Sequence, residues 1–366
     1  MKFLENFWYA AAWSSEITDK PLARRILDRP VALFRTDSGK AAAFDDCCPH
    51  RMAPLSRGTV EGESLRCGYH GLRFERSGKC VEVPGQVNIP PRAKVHAYAL
   101  VERWNFAWIW MGDPAAANPE LIPELPWLTA PDWAYSHGCI TYACNYVLLL
   151  DNLIDLSHTT FVHRRTIGTD DVAKTPVKTT ADAGRVLVER TMSDTEPSIL
   201  YRKAGDFTGK VDRWQKIEYT PPTNVIIDAG AVPAGTGDKT RGIGTRVINI
   251  ITPETPTSTF HFWAFARDFK IHDPSMTEYI GNAIVITFNE DKLLIDDQQR
   301  NVDARPQQRM LANSADSGVM LARRMVERLL REEAGESLNK SPACLSEGER
   351  PGSRQTGTGG GNEEQA

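Results

Sequence analysis

Two short clusters at a fixed separation constrain this chain more than anything else in it. Cys48-Pro49-His50 is followed, after sixteen intervening residues, by Cys67-Gly68-Tyr69-His70, giving C-x-H-x16-C-x2-H. Two thiolates and two imidazoles held in two loops can bind a zinc ion, or a [2Fe–2S] cluster in which histidines replace cysteines on one of the irons. The order of the residues separates these readings. A zinc finger of this composition takes its cysteines from one element and its histidines from another. Here each loop offers one of each, as needed when two cysteines hold one iron and two histidines the other. Pro49 and Gly68 lie between the ligand positions, where a fixed φ and a missing Cβ suit tight loops. Cys47 is one residue out of step and reads as a small buried hydrophobe.

The surrounding text is that of a small antiparallel β domain. Residues 31–35 precede the turn Asp37-Ser38-Gly39-Lys40, and residues 72–75 precede Arg76-Ser77-Gly78-Lys79, followed by another short run at 80–83. The apolar run 106–111 ends at Gly112-Asp113-Pro114, after which alternation is lost, so a domain boundary is expected near 115. Residues 116–335 read as a second, α+β domain. A helical stretch is expected over 146–162, strands over 244–251 and 258–269 around Thr252-Pro253-Glu254-Thr255-Pro256, a long helix over 275–300 and another over 318–333. Residues 336–366 hold too little apolar surface to pack and read as a disordered tail.

Composition narrows the partners. The 43 basic and 47 acidic residues are interspersed and sum to −4, which leaves no basic face for nucleic acid or an anionic membrane. Neither a secretory signal nor an apolar run of membrane-spanning length is legible, so a cytoplasmic protein is expected. Seven scattered cysteines are unlike a secreted disulfide framework and fit a reduced compartment with metal-binding thiols.

A second constellation lies in the second domain. The segment from Asp151 to His163 carries His158 and His163, five residues apart, with Asp151 and Asp155 upstream. A mononuclear iron that activates oxygen takes two histidines and one carboxylate on one side, leaving the other positions open. On an ideal helix the two histidines would differ by about 140°, so they converge only if the helix ends or bends between them. For the carboxylate, the stretch 284–297 offers Glu290, Asp291, Asp296 and Asp297. At about 100° per residue, Asp291 falls on the stripe of Ile280, Ile284, Phe288 and Ile295, and the other three point away. A carboxylate on a buried face is costly unless paired or bound to metal, which makes Asp291 the candidate ligand and an internal salt bridge its alternative.

Cys48-Pro49-His50-Arg51 and Cys67-Gly68-Tyr69-His70-Gly71 resemble the cluster loops of Rieske ring-hydroxylating oxygenases and their demethylating relatives. Asp155-x2-His158-x4-His163 resembles the iron motif of that family, and Glu-Asp-x4-Asp-x-Gln-Gln resembles the ligand helix of its vanillate demethylase group, with Asp296 where a glutamate is more usual. The resemblance extends through Phe7-Trp8-Tyr9, Pro84-Gly85-Gln86, Asp212-Arg213-Trp214-Gln215 and Thr252-Pro253-Glu254 to about residue 330. It implies a β Rieske domain followed by a helix-grip α+β catalytic domain. It also implies a cluster held by Cys48, Cys67, His50 and His70, and an Fe(II) held by His158, His163 and Asp291. In the family, the position of Asp155 links an iron-site histidine, here His158, to a cluster histidine, here His70 of a neighbouring chain. Asn152 is a candidate to support Asp155.

The family also implies a head-to-tail homotrimer and an O2-dependent monooxygenase acting on a small aromatic substrate. On an aryl methyl ether, methyl hydroxylation gives a hemiacetal that collapses to a phenol and formaldehyde. No dinucleotide fingerprint follows a strand, so a separate flavin and iron–sulfur NAD(P)H reductase is expected. Ring or methyl hydroxylation shares every ligand, and a plain Rieske electron carrier is the non-enzymatic alternative. The substrate pocket is less legible. Alternation places Phe260 and Phe262 on one face and His261, Trp263 and Phe265 on the other. Arg164, Arg165 and Arg213 are candidates to pair with a substrate carboxylate, with a surface position the alternative for each.

Overall fold

The structure, a computed structural model, describes residues 2–335. The expected tail lies outside the described residues. In the N-terminal half the short apolar runs form three small antiparallel sheets. Trp8–Trp13 pairs with Phe106–Trp110, which pairs with Leu100–Arg103; Leu22–Ile26, Arg29–Arg35 and Ala41–Asp45 form the second; Thr59–Glu61, Ser64–Arg66, Arg73–Glu75 and Cys80–Glu82 form the third. The turn between the last two strands needs its glycine. Gly78 has φ +82°, and a Cβ there would sit 2.1 Å from the Val95 carbonyl oxygen.

The second half is built on a seven-stranded antiparallel sheet. Its strands are Ala134–Tyr142 (β1), Lys178–Ala181 (β2), Val186–Thr195 (β3), Val211–Thr220 (β4), Asn224–Pro233 (β5), Ile243–Thr255 (β6) and Ser258–Arg267 (β7), in spatial order β1-β7-β6-β5-β4-β3-β2. Both faces of its centre are covered, which is why β6 and β7 are apolar on both sides. On the back, Ile248, Ile250, Phe262 and Ala264 share a core with Trp13, Phe106 and Trp108 of the N-terminal half. Hydrogen bonds reinforce that junction: Thr252 Oγ1 donates to the Ala10 carbonyl at 2.8 Å and the Leu27 N–H to the Pro253 carbonyl at 2.9 Å.

The front face carries the helices. The long helix Pro274–Ala304 starts where the Asp273 side chain accepts from the N–H groups of Ser275 and Met276, with Pro274 at the first helical position. It buries Ile280, Ile284, Phe288 and Ile295 against the sheet, each contributing about 1.5–3 kcal/mol. It is also pinned by hydrogen bonds. Tyr142 Oη donates to the Phe288 carbonyl at 2.9 Å, Asp296 Oδ1 accepts from Ala143 N at 2.8 Å, and Gln299 Oε1 accepts from Asn145 N at 2.7 Å. A long helix laid over an antiparallel sheet is the helix-grip arrangement expected. The helix expected over 146–162 is not continuous: it runs Tyr146–Ile154, breaks at Asp155 in extended conformation (φ −104°, ψ 102°), and resumes as a 3-10 turn Leu156–His158 and a short helix Thr159–Val162. The carboxylate of Asp155 caps the new turn by accepting from Ser157 N at 2.9 Å.

Candidate metal centres

The two loops expected to hold a cluster are built alike. In one, the Cys48 N–H donates to the Ala53 carbonyl and the Met52 N–H to the Cys48 carbonyl, both at 2.8 Å; in the other, Cys67 N–H donates to Leu72 at 2.8 Å and Gly71 N–H to Cys67 at 3.1 Å. The residue four past each cysteine takes a positive φ, +56° at Met52 and +74° at Gly71. Gly68 is required for a different reason: a Cβ would lie 2.5 Å from the Arg57 carbonyl oxygen. The result is two buried thiols, Cys48 and Cys67, beneath two exposed imidazoles, His50 and His70, whose ring centroids are 4.6 Å apart. Burial pushes the Cys48 thiol up to about 11, so a cluster would have to displace its proton. Cys47 is half-buried, not the buried hydrophobe expected. The donors fit a [2Fe–2S] group, with thiolates inward and imidazoles at the surface.

The short helix ends at Val162, leaving His163 out of helical conformation (φ −105°, ψ 34°), and the two histidines converge as the spacing required. Ligand atoms of His158, His163 and Asp291 all lie within 4.8 Å of one another. His163 Nε2 is 3.1 Å and His158 Nε2 3.5 Å from Asp291 Oδ1, close to the roughly 3.0 Å between adjacent ligands of one ion with bonds of about 2.1 Å. The outer hydrogen bonds explain why this arrangement needs a cation. His158 Nδ1 donates to the Asp155 main-chain carbonyl at 2.7 Å, and His163 Nδ1 donates to Glu290 Oε2 at 2.9 Å. Both Nε2 lone pairs then face one carboxylate oxygen, acceptor against acceptor, in a buried place. A proton relieves this in part: burial alone would lower the His163 imidazole, but the Asp291 and Glu290 carboxylates outweigh it and hold it above its ordinary value. A divalent ion among two imidazoles and a carboxylate relieves it fully, and the donors fit iron.

Three details differ from the sequence expectation. The carboxylate of Asp155 bonds Ser157 N and Oγ, and it is the carbonyl of Asp155 that meets His158, because the helix break turns that carbonyl toward the ring three residues on. Asn152 supports Asp291 and not Asp155: its Nδ2 donates to Asp291 Oδ1 at 3.1 Å. Glu290 points off the apolar stripe, yet its side chain reaches His163 from one residue before Asp291. Such a carboxylate orients a metal-bound imidazole and raises its basicity. Glu290→Ala should weaken iron retention by about 10-fold, the low end for outer partners because Glu290 is partly exposed and water can replace it. Chelator competition would measure this, and unchanged retention would count against the role.

These side chains open onto one cavity, lined also by Leu153, Leu156, Ile284, Phe288, Phe265 and Arg213. The open question of the β7 faces is thereby answered. Phe265 borders the cavity, His261 and Trp263 pack on Phe288 beside it, and Phe260 and Phe262 belong to the back. His261, fully buried, is held down to about 3 by desolvation and is neutral, donating from Nε2 to Asn249 Oδ1. Arg164 and Arg165 are exposed, whereas Arg213 is 3% exposed.

A helix-grip sheet with a two-histidine, one-carboxylate site, joined to a β domain with paired Cys/His loops, defines a Rieske non-haem iron oxygenase. Comparison with known proteins agrees. Residues 7–98 match the Rieske [2Fe–2S] domain and residues 142–332 the vanillate O-demethylase oxygenase C-terminal domain. The chain is 39% identical over 342 residues to the toluene-4-sulfonate monooxygenase system iron-sulfur subunit of Comamonas testosteroni, covering 91% of this chain and 99% of that protein. It is 38% identical over 340 residues to the vanillate O-demethylase oxygenase subunit of Pseudomonas sp. strain HR199, covering 90% and 96%. The crystal structure of dicamba monooxygenase bound to dicamba superposes with a TM-score of 0.86 at 35% identity, covering 92% of this chain and all of that one. The chain belongs to the vanillate O-demethylase oxygenase group of Rieske monooxygenases. It is therefore an enzyme with one [2Fe–2S] cluster and one mononuclear iron, and as an oxygenase component it depends on a reductase. No described helix is long and apolar enough to cross a membrane.

Proposed function

We propose that the chain is the oxygenase component of an aromatic O-demethylase, that Cys48, His50, Cys67 and His70 hold the cluster, and that His158, His163 and Asp291 hold the iron. The observation that carries this reading is the cavity itself, which sets the two histidines and the carboxylate against an otherwise largely apolar lining. Such a lining excludes water and receives an aromatic ring, leaving a methyl substituent beside the triad. When bound, the cluster passes on reductase electrons singly and the iron is where O2 is activated. Balance requires one O2, two electrons and two protons per methoxy group, giving water and a hemiacetal that yields phenol and formaldehyde. We assign residues 1–115 to the cluster half and 116–335 to the catalytic half.

We further infer a head-to-tail ring, most simply a trimer. The exposed His50 and His70 are accompanied by exposed Met52 and Tyr69, an apolar rim suited to docking. Asp155 retains carboxylate acceptor capacity beyond its two bonds to Ser157, enough to receive a partner's His70 N–H. The 39% identity to a toluene-4-sulfonate monooxygenase subunit supports a second reading, hydroxylation of an aryl methyl group. Supplied with NADH and a flavin and iron–sulfur reductase, the protein should convert one member of a panel of methoxylated aromatic acids with one formaldehyde released per O2 consumed. A benzylic alcohol from a methylarene with no formaldehyde from any methoxy compound would replace the first reading by the second.

A further inference from the structure

Strand β4 carries an anomaly that neither metal centre uses. Its buried face reads Val211, Arg213, Gln215, Ile217, Tyr219, so a guanidinium and an amide occupy the middle of an apolar row. Burial of an arginine is costly without a compensating partner, and the three arginines buried among the described residues solve this differently. Arg267 donates to the main-chain carbonyls of Phe269, Lys270 and Asp273 and to Thr277. Arg190 donates to the Thr175 carbonyl and to Gln215 Oε1. Neither borders the cavity.

Arg213 does border it, and is the least satisfied of the three. Its Nη1 donates to Thr169 Oγ1 at 2.9 Å and its guanidinium lies 5.0 Å from the centre of the Tyr201 ring, while Nε has no partner. No carboxylate among the described residues forms an ion pair with it; Asp171 acts only at longer range, and burial lowers the Arg213 pKa from its ordinary value. The hydroxyl and the ring fix the guanidinium plane without neutralising it. A fixed, desolvated, unneutralised fork in a ligand cavity is built to meet an anion with flat or clustered oxygens.

We propose that Arg213 is the specificity-determining residue of the cavity: it binds a carboxylate or sulfonate on the aromatic substrate, and Thr169 and Tyr201 are its positioning residues. This rests on the cavity being the substrate site and deepens that reading by naming the charge of the substrate. It holds equally for a methoxy or a methyl reacting group, because the anion is read apart from the carbon that is oxidised. The lining also supplies apolar contacts for the ring of such a molecule, Leu200, Ile227 and Phe265 among them.

The test is binding to the holoenzyme without reductase, so that no turnover occurs and the outcome does not depend on whether formaldehyde is ever formed. Calorimetry would compare 4-methoxybenzoate, 4-methoxybenzenesulfonate and the neutral isostere 4-methoxybenzamide. At least one anion should bind about 10-fold or more tighter than the amide, as a charge-assisted pair predicts. Carboxylate over sulfonate, or the reverse, identifies which oxyanion is read. Arg213→Met should bring the favoured anion down to the affinity of the amide while leaving the amide within about 3-fold; Arg213→Lys, keeping charge without the fork, should retain part of the preference. Wild-type protein that binds the amide as well as both anions, or binds neither anion, overturns the proposal, as does Arg213→Met with its anion preference intact. If Arg213→Met fails to fold, Arg213→Lys and the wild-type series still decide: a lysine variant with undiminished preference and unchanged oxyanion choice would show that the fork is not the reader.

Discussion

Asp291→Ala should purify with its cluster spectrum intact, without mononuclear iron and without oxygenase activity. Asp291 is 3% exposed, and its Oδ1 is the single atom toward which both imidazole Nε2 positions turn, at 3.1 and 3.5 Å. Its removal takes away the proposed third ligand and a charge that would draw a divalent ion into a desolvated place. The loss should exceed about 100-fold, the upper end of the drop in metal affinity that marks removal of outer partners, of which Glu290 stands at the low end. Asp296→Ala is the informative control because it lies on the same helix with a purely structural set of contacts. It accepts from Ala143 N and pairs with Lys292, so its loss should cost about 1–2 kcal/mol of stability and leave iron in place. Metal analysis of both proteins separates the two roles. Iron retained by Asp291→Ala, or lost equally from Asp296→Ala, would reject the assignment.

What the sequence shows of this molecule follows from how each signal is encoded. The Cys48/His50 and Cys67/His70 loops are legible because metal chemistry fixes residue type and offset together, and Asp291 because a carboxylate on a 3.6-residue apolar stripe has few explanations. Glu290 is harder, since helical angle describes where a Cα–Cβ bond points and not how far a glutamate reaches; the structure has it bonding His163 from about 100° away. That Asp155 meets His158 through its main-chain carbonyl could not be read: a carbonyl has no letter, and its direction came from a break at Asp155 inside the stretch expected to be helical. Arg213 stands beside Arg164 and Arg165 as a candidate from sequence, and one further signal singles it out. It shares the two-residue period of Val211, Ile217 and Tyr219, which put it on the inner face, while its chemistry suggested the surface. A charged residue in phase with an apolar strand face is worth treating as a site.

Mixing two inactive variants should restore activity, and by a predictable amount. Cys67→Ser removes a buried thiol proposed to hold the cluster and leaves the proposed iron residues untouched; His163→Ala removes an imidazole proposed to hold the iron and leaves the cluster loops untouched. If each chain relied on its own two centres, no combination of these proteins could work, because neither chain has both. In a head-to-tail ring each contact joins the cluster face of one subunit to the catalytic face of the next, so one contact in a mixed ring can be complete even though no subunit is. With equal amounts randomly reassembled, roughly a quarter of the contacts pair an intact cluster face with an intact iron face, and roughly a quarter of wild-type activity should return. Asp155→Asn probes the same contact from within. It preserves size and the cap on Ser157 but replaces an anionic acceptor with a neutral amide, so both metals should remain bound while turnover collapses. Reassembled mixtures that stay inactive, although mass measurement shows that mixed oligomers have formed, would mean that each subunit is electrically self-contained and that Asp155 serves only its own helix turn.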